Sequence, residues 1–453
     1  MAVARGPSWL ETYSDFKLPA LLLAVSVLIG GGGSPAPAME ALVEFVALAI
    51  LGLSVAGSFR PMAMMRHDSR WSVLILAVLV FPVLQLVPLP PAVWTQFPGR
   101  EAGAEALAAV GRADAWQSWS ILPDGGVAAL LALIPAIVIA LLVARMPLAG
   151  RVRLVAWLAI LGGLSALVGV LQFIRGFDRP LSLWADVHRG WGIGFFANRN
   201  AQADLIAIAL IAGVLLAHRY RDRLDPLAAR AAVATALLLG LIAGIATGSR
   251  MGIAVLTIPV ALAIALSGRR APGLTAALAG AAALLLLGGT ALDRVTDRAS
   301  DPGNRVEIWG DSWQVARDVA PIGAGMGSFV PLYMTAERLE HVQRTIANRA
   351  HNDYLELAIE GGLPALALLA AVLAFVAVRA WRGWRDPDPD RRLLARFAGL
   401  VALVFAVHAT VDYPLRTLTL LTIAGLAMGG LAFAPSRPQE GEQVQGAGGS
   451  QHA

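Results

Sequence analysis

The chain has 453 residues, of which 57% are hydrophobic and 15% charged, with a mean hydropathy of +0.65. Globular proteins carry about 25% charged residues, so a soluble domain is excluded. The lack of cysteine removes disulfides, thiolate nucleophiles and Cys-ligated metals. Basic residues outnumber acidic ones 36 to 31, a net +5, and every basic residue except Lys17 is arginine.

Apolar runs of about 20 residues, the length that crosses about 30 Å of hydrocarbon, recur along the chain. They predict an all-α polytopic membrane protein with twelve spans. In chain order these lie at about 16–34, 38–57, 71–91, 126–145, 152–174, 201–218, 227–246, 251–268, 272–291, 361–380, 394–411 and 415–434. Lys17, the apolar run after it and Ala36-Pro37-Ala38 also resemble a cleavable signal peptide, although a first span of a polytopic protein is usually kept as an anchor. Residues 1–434 read as one membrane domain with a large loop at 292–353 before span ten. The Gly-, Gln- and Ser-rich stretch 435–453 reads as a disordered tail.

Arginine placement predicts the orientation, because short cytoplasmic loops retain positive charge. With a cytoplasmic N-terminus, 21 basic residues face that side and 15 the other, nine of these 15 in the two long loops at 92–125 and 292–353. Both termini are thus expected inside and the 292–353 loop outside. The basic balance is then topological, and nucleic acid is not an expected partner.

On the outer side, polar features collect in four segments. They are Gly194 to Asn200, Thr247 to Gly252, Gly303 to Trp309, and Ala350 to Glu356. Between the last two, residues 305–319 are expected to form a surface helix with Val306, Trp309, Trp313 and Ala316 on one side. The alternating glycines of Pro321 to Gly327 either permit close approach to a ligand or make a tight turn. Arginine at the edge of hydrocarbon is expensive and is read as functional or paired; the rival reading for Arg199, Arg250 and Arg305 is an anchor to lipid headgroups or to the frame. His351 either accepts a proton or fastens the loop. Glu40, Glu44, His408 and Asp412 read as interhelical packing or pairing.

Three arginines and one histidine on one face suit a polyanion and a proton acceptor. Arginine grips phosphate through planar bidentate donors, and imidazole exchanges protons near neutrality. No paired-Asp, HExxH or GxxxxGK[ST] pattern points to a metal or nucleotide site, so no cofactor is expected and a lipid-linked phosphate donor fits best.

These motifs resemble the O-antigen ligase and polymerase superfamily of bacterial inner-membrane glycan transferases. The resemblance rests on Phe196-Ala197-Asn198-Arg199-Asn200, Thr247-Gly248-Ser249-Arg250, Asn304-Arg305-Val306-Glu307-Ile308-Trp309, Pro321-Ile322-Gly323-Ala324-Gly325, His351-Asn352-Asp353-Tyr354-Leu355 and Glu360-Gly361-Gly362. It implies metal-independent, inverting transfer of a glycan from undecaprenyl pyrophosphate to an acceptor hydroxyl on lipid A core or a growing polysaccharide, at the periplasmic face. Catalytic roles fall on His351, Arg250 and Arg305. Substrate-binding roles fall on Arg199, Asn198, Asn200, Ser249, Asn352 and Tyr354. Ligase and polymerase are not separated by these motifs. A flippase is the rival of another class, but it would be expected to place polar residues at several midplane positions.

Overall fold

The computed structural model describes residues 16–32, 37–56, 68–176, 183–184, 188, 190–267, 302–342 and 346–433. These are mostly helical. In chain order the helices are α1 Lys17–Ile29, α2 Pro37–Ala56, α3 Ser69–Leu86, α4 Pro91–Trp94, α5 Glu101–Ala109, α6 Pro123–Arg145, α7 Leu148–Arg175 and α8 Arg199–Arg219. They continue with α9 Pro226–Thr247, α10 Arg250–Ser267, α11 Pro302–Asp318, α12 Phe329–Ala336, α13 Asp353–Gly383, α14 Pro389–His408 and α15 Leu418–Leu431. The sheet among the described residues is a two-residue antiparallel pair, β1 Pro88–Leu89 with β2 Gln117–Ser118.

Seven helices, α2, α3, α6, α7, α8, α9 and α13, are long and apolar enough to cross a membrane; α1, α10 and α15 are shorter apolar helices. Helix α14 covers the predicted eleventh span but carries Arg391, Arg392 and Arg396 in its first half. The predicted ninth span, 272–291, and the tail 435–453 lie outside the described residues. The outer helices turn apolar side chains outward, as with Phe45 of α2, Leu164 of α7 and Leu238 of α9, which in lipid costs nothing. Helix α8 is buried on nearly all sides and packs against α7, α9, α10 and α14.

Small residues allow the close contacts. Gly425 and Gly429 of α15, four apart, leave room for the backbone of α6 at Ala136 and Ala140, a small-xxx-small contact in which dispersion replaces the hydrophobic drive that lipid cannot supply. The break between the seventh and eighth predicted spans is sharp. Gly248 caps α9 in the left-handed region at φ 61°, and Ser249 caps α10 by accepting from Gly252 N at 2.9 Å.

The segment after α11 corrects one expectation. Gly323 and Gly362, at φ 78° and 59°, lie backbone to backbone, with no room for a Cβ on either. Ala324 N donates to Ile359 O and Gly325 N to Glu360 O, both at 2.8 Å. The glycines of 321–327 therefore admit the α13 main chain, bent at Gly362. Helix α11 forms as expected, with Val306 and Trp313 of the expected surface stripe exposed and Ala316 turned to the protein side. Ile308, Val315 and Val319 are buried with it. The buried side carries Asp311, which ion-pairs with Arg338 at 3.3 Å and His341 at 2.7 Å.

Candidate functional site

The three arginines singled out from the sequence all begin helices. Arg199 opens α8, Arg250 opens α10, and Arg305 lies in the first turn of α11. Unpaired N–H groups and the helix dipole make such ends attractive to anions and unfavourable to cations. An arginine kept there is stabilised by something negative, or by a ligand that is.

The starts of the first two helices are joined through Trp191. The Arg199 guanidinium stands 5.2 Å from its ring centroid, and the same indole packs against Gly248, just before Arg250. Further along, Gly252 of α10 sits against Ala203 of α8. The third arginine joins at the turn between α14 and α15, where Arg305 Nη1 donates to Val411 O at 2.8 Å.

That turn holds the centre of the site. Asp412 is almost fully enclosed. Its Oδ1 lies 3.3 Å from His351 Nδ1, and its Oδ2 accepts from the Asn200 side chain at the start of α8. Tyr413 N donates to Oδ1 at 3.0 Å, while the Tyr413 ring packs against the imidazole, centroids 5.0 Å apart. Burial raises the Asp412 pKa, but the hydrogen bond with His351 and the positive fields of His351, His408 and Arg305 overcome it, leaving the carboxyl at about 2. An ionised acceptor at Nδ1 favours the tautomer with its proton there. Nε2 is then the lone-pair nitrogen, and the imidazole is 24% exposed against 3% for Asp412.

His351 itself has φ 50°, a left-handed backbone that costs an L-residue roughly 1–2 kcal/mol. Such strain survives only where neighbours impose it. Here Trp309 Nε1 donates to Ala350 O at 3.0 Å and His351 O at 3.3 Å, Ala350 N donates to Glu356 at 3.0 Å, and Asn352 caps α13 by accepting from Leu355 N. Beneath them Arg416 ion-pairs with Asp353 at 3.3 Å, Glu356 at 3.4 Å and Glu360 at 2.8 Å, and Arg349 with Glu356 at 2.9 Å. This buried network fixes the end of the loop to α13 and to the 414–416 turn.

Of the nine residues chosen from the sequence, Arg305, Asn200 and His351 meet at the 411–413 turn, while Arg250 is linked to the start of α8 through Trp191 beside Gly248. Four of the nine use their side chains in the frame. Asn198 caps α8 through Asn200 N at 2.8 Å, Ser249 and Asn352 cap α10 and α13, and Tyr354 donates to Ala406 O of α14 at 2.9 Å. Asp412, which the sequence presents as interhelical packing or pairing, is paired with His351 and Asn200, and its place beside the histidine is what sequence reasoning misses. The polar turn Asp412-Tyr413-Pro414, on the outer side in the predicted topology, was its available signal. His408 does pair across the bundle, with Asp204 of α8 at 2.5 Å. Among the described residues no group of three or more His, Asp and Glu side chains is arranged to hold a metal.

Comparison with known proteins agrees with the motifs. No curated protein matches the chain. Residues 235–370 match the family model described as O-antigen ligase, a stretch that contains Arg250, Arg305 and His351. With seven membrane-length helices among the described residues, the chain is a multi-pass membrane protein whose 235–370 segment is similar to the O-antigen ligase family.

Proposed function

We propose that the protein transfers a glycan from undecaprenyl pyrophosphate to an acceptor hydroxyl at the periplasmic face of the bacterial inner membrane, with both termini cytoplasmic and 292–353 periplasmic. The observation that carries this is a histidine backed by a buried, ionised aspartate among three arginine-bearing helix starts. A base with its orienting partner and a cationic cradle are the two things that displacement at a sugar–pyrophosphate bond requires.

In this reading the arginines and the α8, α10 and α11 N-termini hold the pyrophosphate. Charge builds on its oxygen as the anomeric C–O bond breaks, and the guanidinium donors are already in place to receive it. His351 Nε2 takes the proton from the acceptor hydroxyl as that oxygen bonds to the anomeric carbon, and Asp412 stabilises the imidazolium. Asn198, Asn200, Ser249, Asn352 and Tyr354 shape the floor on which the substrates lie. Direct displacement inverts the anomeric centre, and neither a metal nor another cofactor takes part.

The acceptor is the core saccharide of lipid A in a ligase and a second lipid-linked glycan in a polymerase. Purified protein given one donor with each acceptor in turn tests the reading. Release of undecaprenyl pyrophosphate with glycosylated lipid A core is the ligase result, and a ladder of longer lipid-linked glycans is the polymerase result. Movement of intact donor across vesicles, with no new glycosidic bond, would replace both with a flippase.

A further inference from the structure

The far end of the bundle carries a second cationic feature. Helix α13 starts beside His351 and runs 31 residues to Gly383, roughly 45 Å at 1.5 Å per residue. There the starts of α3 and α7 and the ends of α13 and α15 surround a cavity of about 350 Å³. Arg70, Arg379, Arg382 and Arg391 line it, against the carboxylates Asp68 and Asp386.

These charges are not equivalent. Arg379 donates to both oxygens of Asp68, at 2.7 and 2.8 Å, and lies 4.0 Å from the Phe433 ring centroid, so this pair forms a closed wall. Asp386 is engaged through Oδ1, which accepts from Asp388 N at 2.9 Å. Arg70, Arg382 and Arg391 are exposed and face only that one further carboxylate within the cavity lining. Leu148, Leu431 and Phe433 add apolar surface. The result is a concave, cationic site with an apolar side, set where helix ends meet the headgroup layer of a bilayer.

We propose that this cavity binds the phosphate of an anionic amphiphile, at a site separate from the candidate transfer site. Guanidinium groups recognise phosphate by paired hydrogen bonds, basic pockets between spanning helices take lipid headgroups, and the volume is at the lower end of small-molecule sites, about 300–1,000 Å³. Arginines present only to set topology would carry the same charge but would not discriminate between ligands at a fixed place.

Native mass spectrometry of the full-length protein in detergent, with added phosphatidylglycerol or phosphatidylcholine, tests this. Phosphatidylglycerol should be retained in preference. Arg382→Gln with Arg391→Gln should weaken it by about 25-fold, roughly fivefold per arginine. Asp386→Asn keeps the acceptor for Asp388 N and removes the opposing charge, so it should tighten binding severalfold, and it decides the matter if the double variant does not fold. Displacement of the lipid by millimolar sodium phosphate would assign the site to the free anion; retention assigns it to the lipid. Wild-type affinity in both the double variant and Asp386→Asn would overturn the proposal.

Discussion

The two ends of the bundle use arginine in opposite ways. Near His351, arginines stand at helix starts, against the dipole. At the far end Arg151 also lies in the first turn of a helix, α7, but its guanidinium is fully buried where α6 and α15 finish, donating to Ala144 O at 2.5 Å, Met146 O at 3.0 Å and Ala432 O at 2.6 Å. There the dipole and the otherwise unpaired carbonyls favour a cation. Arg151 spends its donors on helix-end carbonyls and so completes the fold, whereas Arg199, Arg250 and Arg305 are the arginines proposed to hold the pyrophosphate. The residue type and the place in the helix are the same; what the guanidinium meets separates the structural role from the proposed chemical one.

The comparison can be broken most completely through topology, because the two ends are proposed to face opposite sides of the membrane. The chain has no cysteine, so single cysteines report cleanly. Glu337→Cys should react with an impermeant maleimide on spheroplasts and Arg382→Cys should not; the reverse pattern would invert the assignment.

Next in size is the effect of Arg250→Lys or Arg305→Lys. Each keeps the charge but loses the bidentate fork, and each should lower transfer by about 10²–10³-fold, the scale of losing a donor to developing charge. Near-normal transfer at wild-type protein levels would return both to headgroup anchors. Arg151→Ala should do the opposite. Stability should fall by roughly 3 kcal/mol as buried carbonyls lose their donor, read as a lower thermal midpoint, while turnover per folded molecule is kept.

A smaller effect follows from pH. Asp412 sits at about 2, below the roughly 3.9 of a free aspartate. Folding therefore gains stability from it above about pH 4, and that gain is lost as pH falls toward 2. The thermal midpoints of wild type and Asp412→Asn should differ by a constant amount above pH 4 and converge below it.

Seven of the twelve predicted spans match membrane-length helices among the described residues, because lipid imposes one rule, about 20 apolar residues with every backbone group satisfied within the helix. The caps Asn198, Ser249 and Asn352 act within three residues of themselves, yet the family resemblance casts all three as substrate-binding residues and does not reveal the capping. What sequence could not give was the choice between partners distant in the chain. Asp412 lies 61 residues from His351 and 212 from Asn200, and only packing of α8, α13 and α14 brings them together. The same holds for Gly323 against Gly362, where the glycines leave ligand approach and tight turn both open and only the packed helix shows what main chain they admit.

The central claim is that His351, oriented by Asp412, accepts the acceptor proton. Purified His351→Ala, assayed for transfer from a lipid pyrophosphate-linked glycan and for binding of that donor, tests it most directly. Turnover should fall by roughly 10²–10⁴-fold, the scale of general acid–base catalysis, with donor affinity nearly unchanged because the arginines remain. Near wild-type turnover per folded molecule would contradict the account and leave His351 as a strained fastening of the loop.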